Sequence, residues 1–205
     1  VRQSTVAGKI QNTLLGGNKD TNIGGEYSGL NIILASGKSA SASHLTPTDK
    51  KFNINEGTII ELGGVKHRYH CALSRTVYIG KPDKQLDDTL KITNEGIQKA
   101  IEATKPGNTC HDVATAFWKV LEKYDVEKES RAGYSIGLGY PPDWGEHTLS
   151  IRKNEMTVLE PNVTYHLMCG MWMDTWGLEL SESIRVTENG CELFCSFSRD
   201  LHIVK

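Results

Sequence analysis

No stretch of the 205 residues stays apolar for the roughly 18 positions that a membrane-spanning helix needs, and no secretory-type apolar segment opens the chain. A soluble protein is therefore expected, with no membrane partner. A concentration of basic charge is missing as well. The 23 Lys and Arg residues face 25 Asp and Glu for a net charge of −2, without the clustered cations that phosphate contacts require, so nucleic acid is not an expected partner. The five cysteines are an odd number and contain no C-x-x-C pair. That argues against a disulfide framework or a thiolate zinc site and suits a reducing, cytoplasmic setting. Low-complexity tracts and demonstrable repeats are also lacking. At this length the chain fits one domain with a substantial core.

Periodicity supplies most of the elements. Val6, Ile10 and Leu14 are spaced for a helix over residues 1–15 that stops at Gly16-Gly17. Residues 24–27 read as a turn or loop leading into an apolar strand at 30–34, and the small-residue loop 36–43 then delivers His44. Ile59 to Gly80 reads as two strands around a Gly63-Gly64 turn. Leu86, Leu90, Ile97 and Ile101 share one side of a helix over 83–102, which Lys105-Pro106-Gly107 ends. A second helix, 111–124, carries the stripe Val113, Phe117, Val120, Leu121 and Tyr124, and His111 reads as a structural residue at its start. Residues 131–150 are punctuated by glycine and proline, as suits backbone passing close to a ligand, and 156–204 alternates as several antiparallel strands. The fold class expected is mixed α/β.

Several motifs carry a resemblance. The run from Tyr69 to Gly80, Y-x-x-x-x-S-R-T-x-x-x-G behind an apolar strand ending in Glu61, is similar to the pita-bread hydrolases: methionine aminopeptidases, aminopeptidase P, prolidase and creatinase. The resemblance implies a curved, mostly antiparallel sheet with helices on its outer face and a concave pocket. It also implies that residues 1–205 form a pita-bread catalytic domain that opens inside its own architecture, without the N-terminal domain of creatinase-like relatives, and that the full-length protein is a homodimer. Two-metal members place ligands at five positions. In this chain those positions hold Glu61, Ala72, Tyr134, Met168 and Ser181, with Glu182 beside the last. Alanine, a phenol and a thioether cannot serve hard divalent ions, so no metal and no other cofactor is expected. An unrelated metal site built from Asp143, Glu146, His147 or His166 stays open.

The missing ligands constrain the chemistry. Hydrolysis of a neutral amide would lack its Lewis acid, whereas an amidinium or guanidinium carbon is already electron-poor and open to water or to a carboxylate. Within the family, the stretches GYSIGLGYPPDWGEHTLSIR and GMWMDTWGLELSESIRVTENG resemble the ectoine hydrolases, which open a cyclic amidine ring. That resemblance implies a metal-independent hydrolase of a non-peptide C–N bond, acting on a small cationic substrate. Glu61 is expected as nucleophile or general base and His44 as proton shuttle. Tyr134, Tyr140, Asp143, Trp144, Trp172 and Glu182 are expected around the substrate, with Arg131 or Asp143 near its carboxylate and Trp176 as a further ring face. The competing expectations are a buried Glu61–Arg75 ion pair, His166 as a satisfied core histidine, a prolidase or aminopeptidase P-like metallopeptidase, and a catalytically inactive pita-bread binding module.

Overall fold

The computed structural model describes residues 1–17, 27, 29 and 31–205. The expected loop at 24–26 and the start of the expected strand at Leu30 lie outside the described residues. Helix α1 spans Gln3–Gly16, β1 is Ile33–Ser36, and a short 3-10 turn, Gly37–Ser41, leads toward His44. A long hairpin follows, β2 (Glu56–Lys66) and β3 (Tyr69–Ile79), and then α2 (Lys84–Ala103) and α3 (Cys110–Lys123). Strands β4 (Gly133–Tyr140) and β5 (Asp143–Ile151) form a second hairpin. Strands β6 (Thr164–Trp172), β7 (Gly177–Val186), β8 (Cys191–Leu193) and β9 (His202–Val204) complete the chain. The result is the mixed α/β fold expected, with, among the described residues, a nine-stranded sheet whose main path runs β1-β2-β3-β4-β6-β7-β8 and is antiparallel throughout, while β9 runs parallel alongside β3. Among the described residues no helix is long and apolar enough to cross a membrane.

The two helices start where the sequence says they should. Asp83 accepts the Leu86 N–H at 2.8 Å, and Thr109 and Asp112 form a reciprocal capping box, each side chain accepting the other's backbone N–H. Their apolar stripes then cover one face of the sheet. Ile97, Val113, Phe117 and Leu121 from the helices pack in one core with Leu167, Leu180 and Ile184 from β6 and β7. The helices approach closely because residue 96 is glycine: a Cβ there would sit 2.8 Å from the Phe117 ring.

The turn of the β2–β3 hairpin is not where glycine suggests. Gly63 and Gly64 lie inside β2, paired with Ala72 and Cys71, and the chain reverses at His67-Arg68, both with positive φ (51° and 68°). The small residue at 63 has a packing purpose instead: a Cβ there would meet carbons of the Trp144 ring at 2.8 and 2.9 Å.

Strands β3 and β7 lie side by side without a backbone ladder, and hydroxyls take its place. Ser183 Oγ accepts the Ala72 N–H at 3.1 Å and donates to the Ala72 carbonyl at 2.7 Å. Ser181 Oγ accepts the Ser74 N–H at 2.6 Å. Thr76 Oγ1 donates to the Glu179 carbonyl at 3.0 Å and accepts its N–H at 2.8 Å. These hydroxyls give the Ala72, Ser74 and Glu179 backbone groups partners in the seam, and the register they fix brings one face of β2 and β3 beside one face of β6 and β7.

Candidate active site

Side chains alternate along a strand and cross-strand partners share a face, so the register decides what meets what. Glu61 lies opposite Ser74 on β3 and Ile33 on β1. On β7, Glu179, Ser181 and Ser183 share a side with Gly170, Met168 and His166 of β6, and His166 is the partner of Tyr134 on β4. One face therefore gathers Glu61, Glu179, His166 and Tyr134, all buried. Trp144 donates its indole N–H to the Tyr134 hydroxyl at 2.7 Å, and His166 Nδ1 lies 3.0 Å from that same oxygen and 3.9 Å from Glu61 Oε1.

Burial sets the electrostatics. It pushes the Glu61 carboxyl well above its ordinary range, and the neighbouring Glu179 charge pushes it further. Burial takes Glu179 up to about 7, although the Ser74 hydroxyl and the Lys128 ammonium pull the other way. Two nearby carboxylates out of water resist being ionised together. Tyr134 is raised by burial and then by Glu61, and burial pushes His166 down to about 3, which leaves its imidazole neutral. Lys128 is lowered by burial to about 8; its ammonium bonds the Gly170 carbonyl at 2.7 Å and sits 4.7 Å over the Trp172 ring.

A cavity of about 510 Å³ opens on this face, and its lining includes His44, Arg131, Tyr134, Asp143, Trp144 and Trp172. Its size suits a small molecule. Glu61 is adjacent to the cavity rather than open in it, since its strand partner Ile33 and its neighbour Tyr134 are both lining residues. His44 is exposed at the rim with a φ of 62°. Arg131 stacks 4.5 Å over the Tyr134 ring and touches Ser150 Oγ at 3.5 Å; among the described residues it makes no ion pair. Asp143 accepts from the Gly145 N–H and pairs with His147, both at 2.9 Å. Burial pushes its carboxyl up, but these bonds together hold it below its ordinary value. Trp176 lines a neighbouring cavity of about 850 Å³ that shares Trp172 and Ser130 with the first.

Two expected site residues are placed elsewhere. Tyr140 ends β4 with 75% of its surface exposed, its ring 5.4 Å from Tyr27 and outside the cavity lining. Alternation along β7 turns Glu182 to the helix-covered face, where it pairs with Arg75 at 2.9 Å. That also answers the expectation of a Glu61–Arg75 pair, because the guanidinium points away from Glu61. His166 is a core histidine in burial but hydrogen-bonds into the site. Glu179 was not anticipated, although in LELSES it stands two residues before Ser181 and so on the same face.

The donor set does not fit a two-ion centre. Ala72, Tyr134, Met168 and Trp144 form one apolar cluster, with Trp144 seated against Gly63 opposite Ala72. Among the described residues no three His, Cys, Asp or Glu side chains converge as a metal site. Glu146 is engaged at the hairpin, accepting the Leu138 N–H at 2.7 Å.

A profile of metallopeptidase family M24 matches residues 1–188. Ectoine hydrolase of Halomonas elongata is 45% identical over 181 residues, which is 88% of this chain and 45% of that protein. An Xaa-Pro dipeptidase of Pyrococcus furiosus is 24% identical over 87% of this chain and 51% of its own length. Among solved structures, dipeptidase PepE from Mycobacterium ulcerans superposes with a TM-score of 0.88 at 21% identity, covering 99% of this chain and 53% of that one. The chain thus spans about half the length of the curated relatives it matches.

Proposed function

The chain belongs to metallopeptidase family M24, and on that premise we propose that it supplies the catalytic face of a metal-independent hydrolase that breaks a C–N bond in a small cationic compound, the cyclic amidine ring of ectoine. One observation carries the reading: two buried carboxylates, Glu61 and Glu179, stand beside an indole-lined cavity, and Ala72, Tyr134 and Met168, at three of the five positions where the resemblance expects metal ligands, sit in an apolar cluster with Trp144. Carboxylates that burial leaves short of counter-charge favour a ligand that brings its own cation, and Trp144 and Trp172 offer ring faces to it.

Glu61 then acts at the amidinium carbon, as nucleophile or as the base that activates water. Addition forms a C–O bond, collapse breaks the ring C–N bond, and the departing nitrogen takes a proton, relayed from His44 at the rim. If Glu61 adds directly, water releases the acyl group in a second step. Arg131, without an ion-pair partner among the described residues, receives the carboxylate of a zwitterionic substrate.

The test is ring opening followed by proton NMR with ectoine, hydroxyectoine and creatine, on protein stripped by a chelator and again with Mn²⁺ or Co²⁺ restored. Turnover of ectoine unchanged by chelation is expected. Turnover that returns only with metal would sink the metal-independent reading and favour the dipeptidase-like relatives. Inertness toward all three compounds would point to a binding module.

A further inference from the structure

We infer that His166 is a positioning residue: its Nδ1–H and the Trp144 indole N–H both donate to the Tyr134 hydroxyl oxygen, so that the hydroxyl keeps its own hydrogen to donate into the cavity. A phenol oxygen carries one hydrogen and two lone pairs. Trp144 Nε1 can only donate, and at 2.7 Å it takes one lone pair. His166 Nδ1, at 3.0 Å, either accepts the hydroxyl hydrogen or donates to the second lone pair.

The far side of the imidazole separates the two. His166 is completely buried, and its Nε2 has no partner among the described residues. Were Nδ1 the acceptor, the ring hydrogen would sit on Nε2 as an orphaned N–H, which is rare in folded proteins and costs the desolvation of a donor. With the hydrogen on Nδ1, Nε2 presents only a bare lone pair. When Glu61 is ionised, its Oε1, 3.9 Å from Nδ1, also favours a hydrogen on that nitrogen. The His166 ring meets the Tyr134 ring nearly edge-on, at 88°, and the Trp144 ring at 89°. Both donor side chains are buried, and Tyr134 enters the cavity as a donor.

The catalytic use of that donor rests on the function proposed above: as the C–N bond breaks, the leaving nitrogen gains a lone pair, which the Tyr134 hydroxyl is placed to meet. The tautomer itself does not depend on the reaction. Long-range proton–nitrogen NMR of the ¹⁵N-labelled chain, with His166 assigned through His166→Asn, should show a protonated Nδ1 and an unprotonated Nε2. The opposite tautomer would overturn the inference, whether or not the chain turns over substrate.

A double-mutant cycle reads the consequence. His166→Leu should lower kcat about tenfold with little change in KM, His166→Asn, which returns an N–H near the Nδ1 position, should recover most of the loss, and His166→Leu should cost nothing further in a Tyr134→Phe background. An equal loss in both backgrounds would mean that His166 acts through packing, and would remove its positioning role. Inactivity of the parent chain would count against the proposed function, while the tautomer is decided by NMR alone.

Discussion

Glu179 and Glu182 stand three residues apart on β7, both nearly devoid of exposed surface, and the sheet sorts them to opposite faces. Glu182 meets Arg75 at 2.9 Å and Arg199 at 3.8 Å. Arg75 in turn is fully engaged, bonding the carbonyls of Ser74, Ser181, Phe197 and Ser198 and so tying the C-terminal segment to the sheet. Burial still raises the Glu182 carboxyl, with both arginines pulling against it. Glu179 has no ion pair of this kind among the described residues, and its nearest relief is the Ser74 hydroxyl and a weakened Lys128. A buried charge with partners is architecture; one left short of them is held by the fold at some expense and is a candidate for chemistry.

The sharpest way to break that comparison is to remove one charge on each face. Glu61→Gln on the cavity side should abolish turnover by up to about 10⁴-fold with stability unchanged or improved, read as kcat beside a urea unfolding curve. On the other face, Arg75→Met should leave turnover secondary to a stability loss of about 3–5 kcal/mol, because Glu182 is then buried without its closest counter-ion. If Arg75→Met proved neutral in urea, the division between structural and chemical carboxylates would fail.

Proton linkage gives the next effect in size. Glu179 is raised in the folded state from 4.5 to about 7, so the folded chain binds the extra proton and the group's contribution is complete below about 4.5. That contribution is lost as pH climbs through about 7. His166, lowered from 6.5 to about 3, works in the other sense: its contribution is present above 6.5 and lost as pH falls toward 3. The two slopes oppose each other between roughly 4.5 and 6.5. The informative quantity is therefore the difference between Glu179→Gln and the parent chain, in which His166 cancels. It should move in favour of the variant from pH 4.5 to 7.5, by about 1.4 kcal/mol per pKa unit of the shift. A pH-independent difference would mean that folding leaves the Glu179 carboxyl's hold on its proton unchanged.

What was legible in the sequence follows the same division between faces. The helix-side face announces itself through periodicity: Leu86, Leu90 and Ile97, or Val113, Phe117 and Leu121, give α2 and α3 to within a residue or two, because burial on one side of a helix leaves a regular trace. The cavity face is built from exceptions to such rules. Gly63-Gly64 looks like a turn, yet Gly63 is small to admit the Trp144 ring, a contact some eighty residues away in sequence that no local pattern encodes. Ser181 and the adjacent Glu182 stand at a family ligand position, whereas strand parity alone separates Glu182 from that face and unites Glu179 with it. Tyr140 illustrates the converse: an aromatic in a distinctive motif that the hairpin carries out to solvent.

The smallest effect tests how much relief the cavity face has. Among the described residues Lys128 is the cation that lowers Glu179, and being itself pushed down to about 8 it carries its charge only below that range. Lys128→Met removes a positive charge near a carboxylate, so the sign is fixed: Glu179 should hold its proton to higher pH. The size should be under about one pKa unit, since burial, not Lys128, dominates the shift, and the pair is close enough to feel each other without an ion-pair contact. Carbon-13 NMR of the Glu179 carboxyl reads the midpoint directly in parent and variant. A rise of several units would show that Lys128 is a true counter-ion, and would make Glu179 a structural carboxylate like Glu182, partnered across the sheet after all. No movement, with Glu61→Gln lowering the same midpoint, would locate the remaining control of Glu179 in its carboxylate neighbour, which is what two like charges sharing one dry face require.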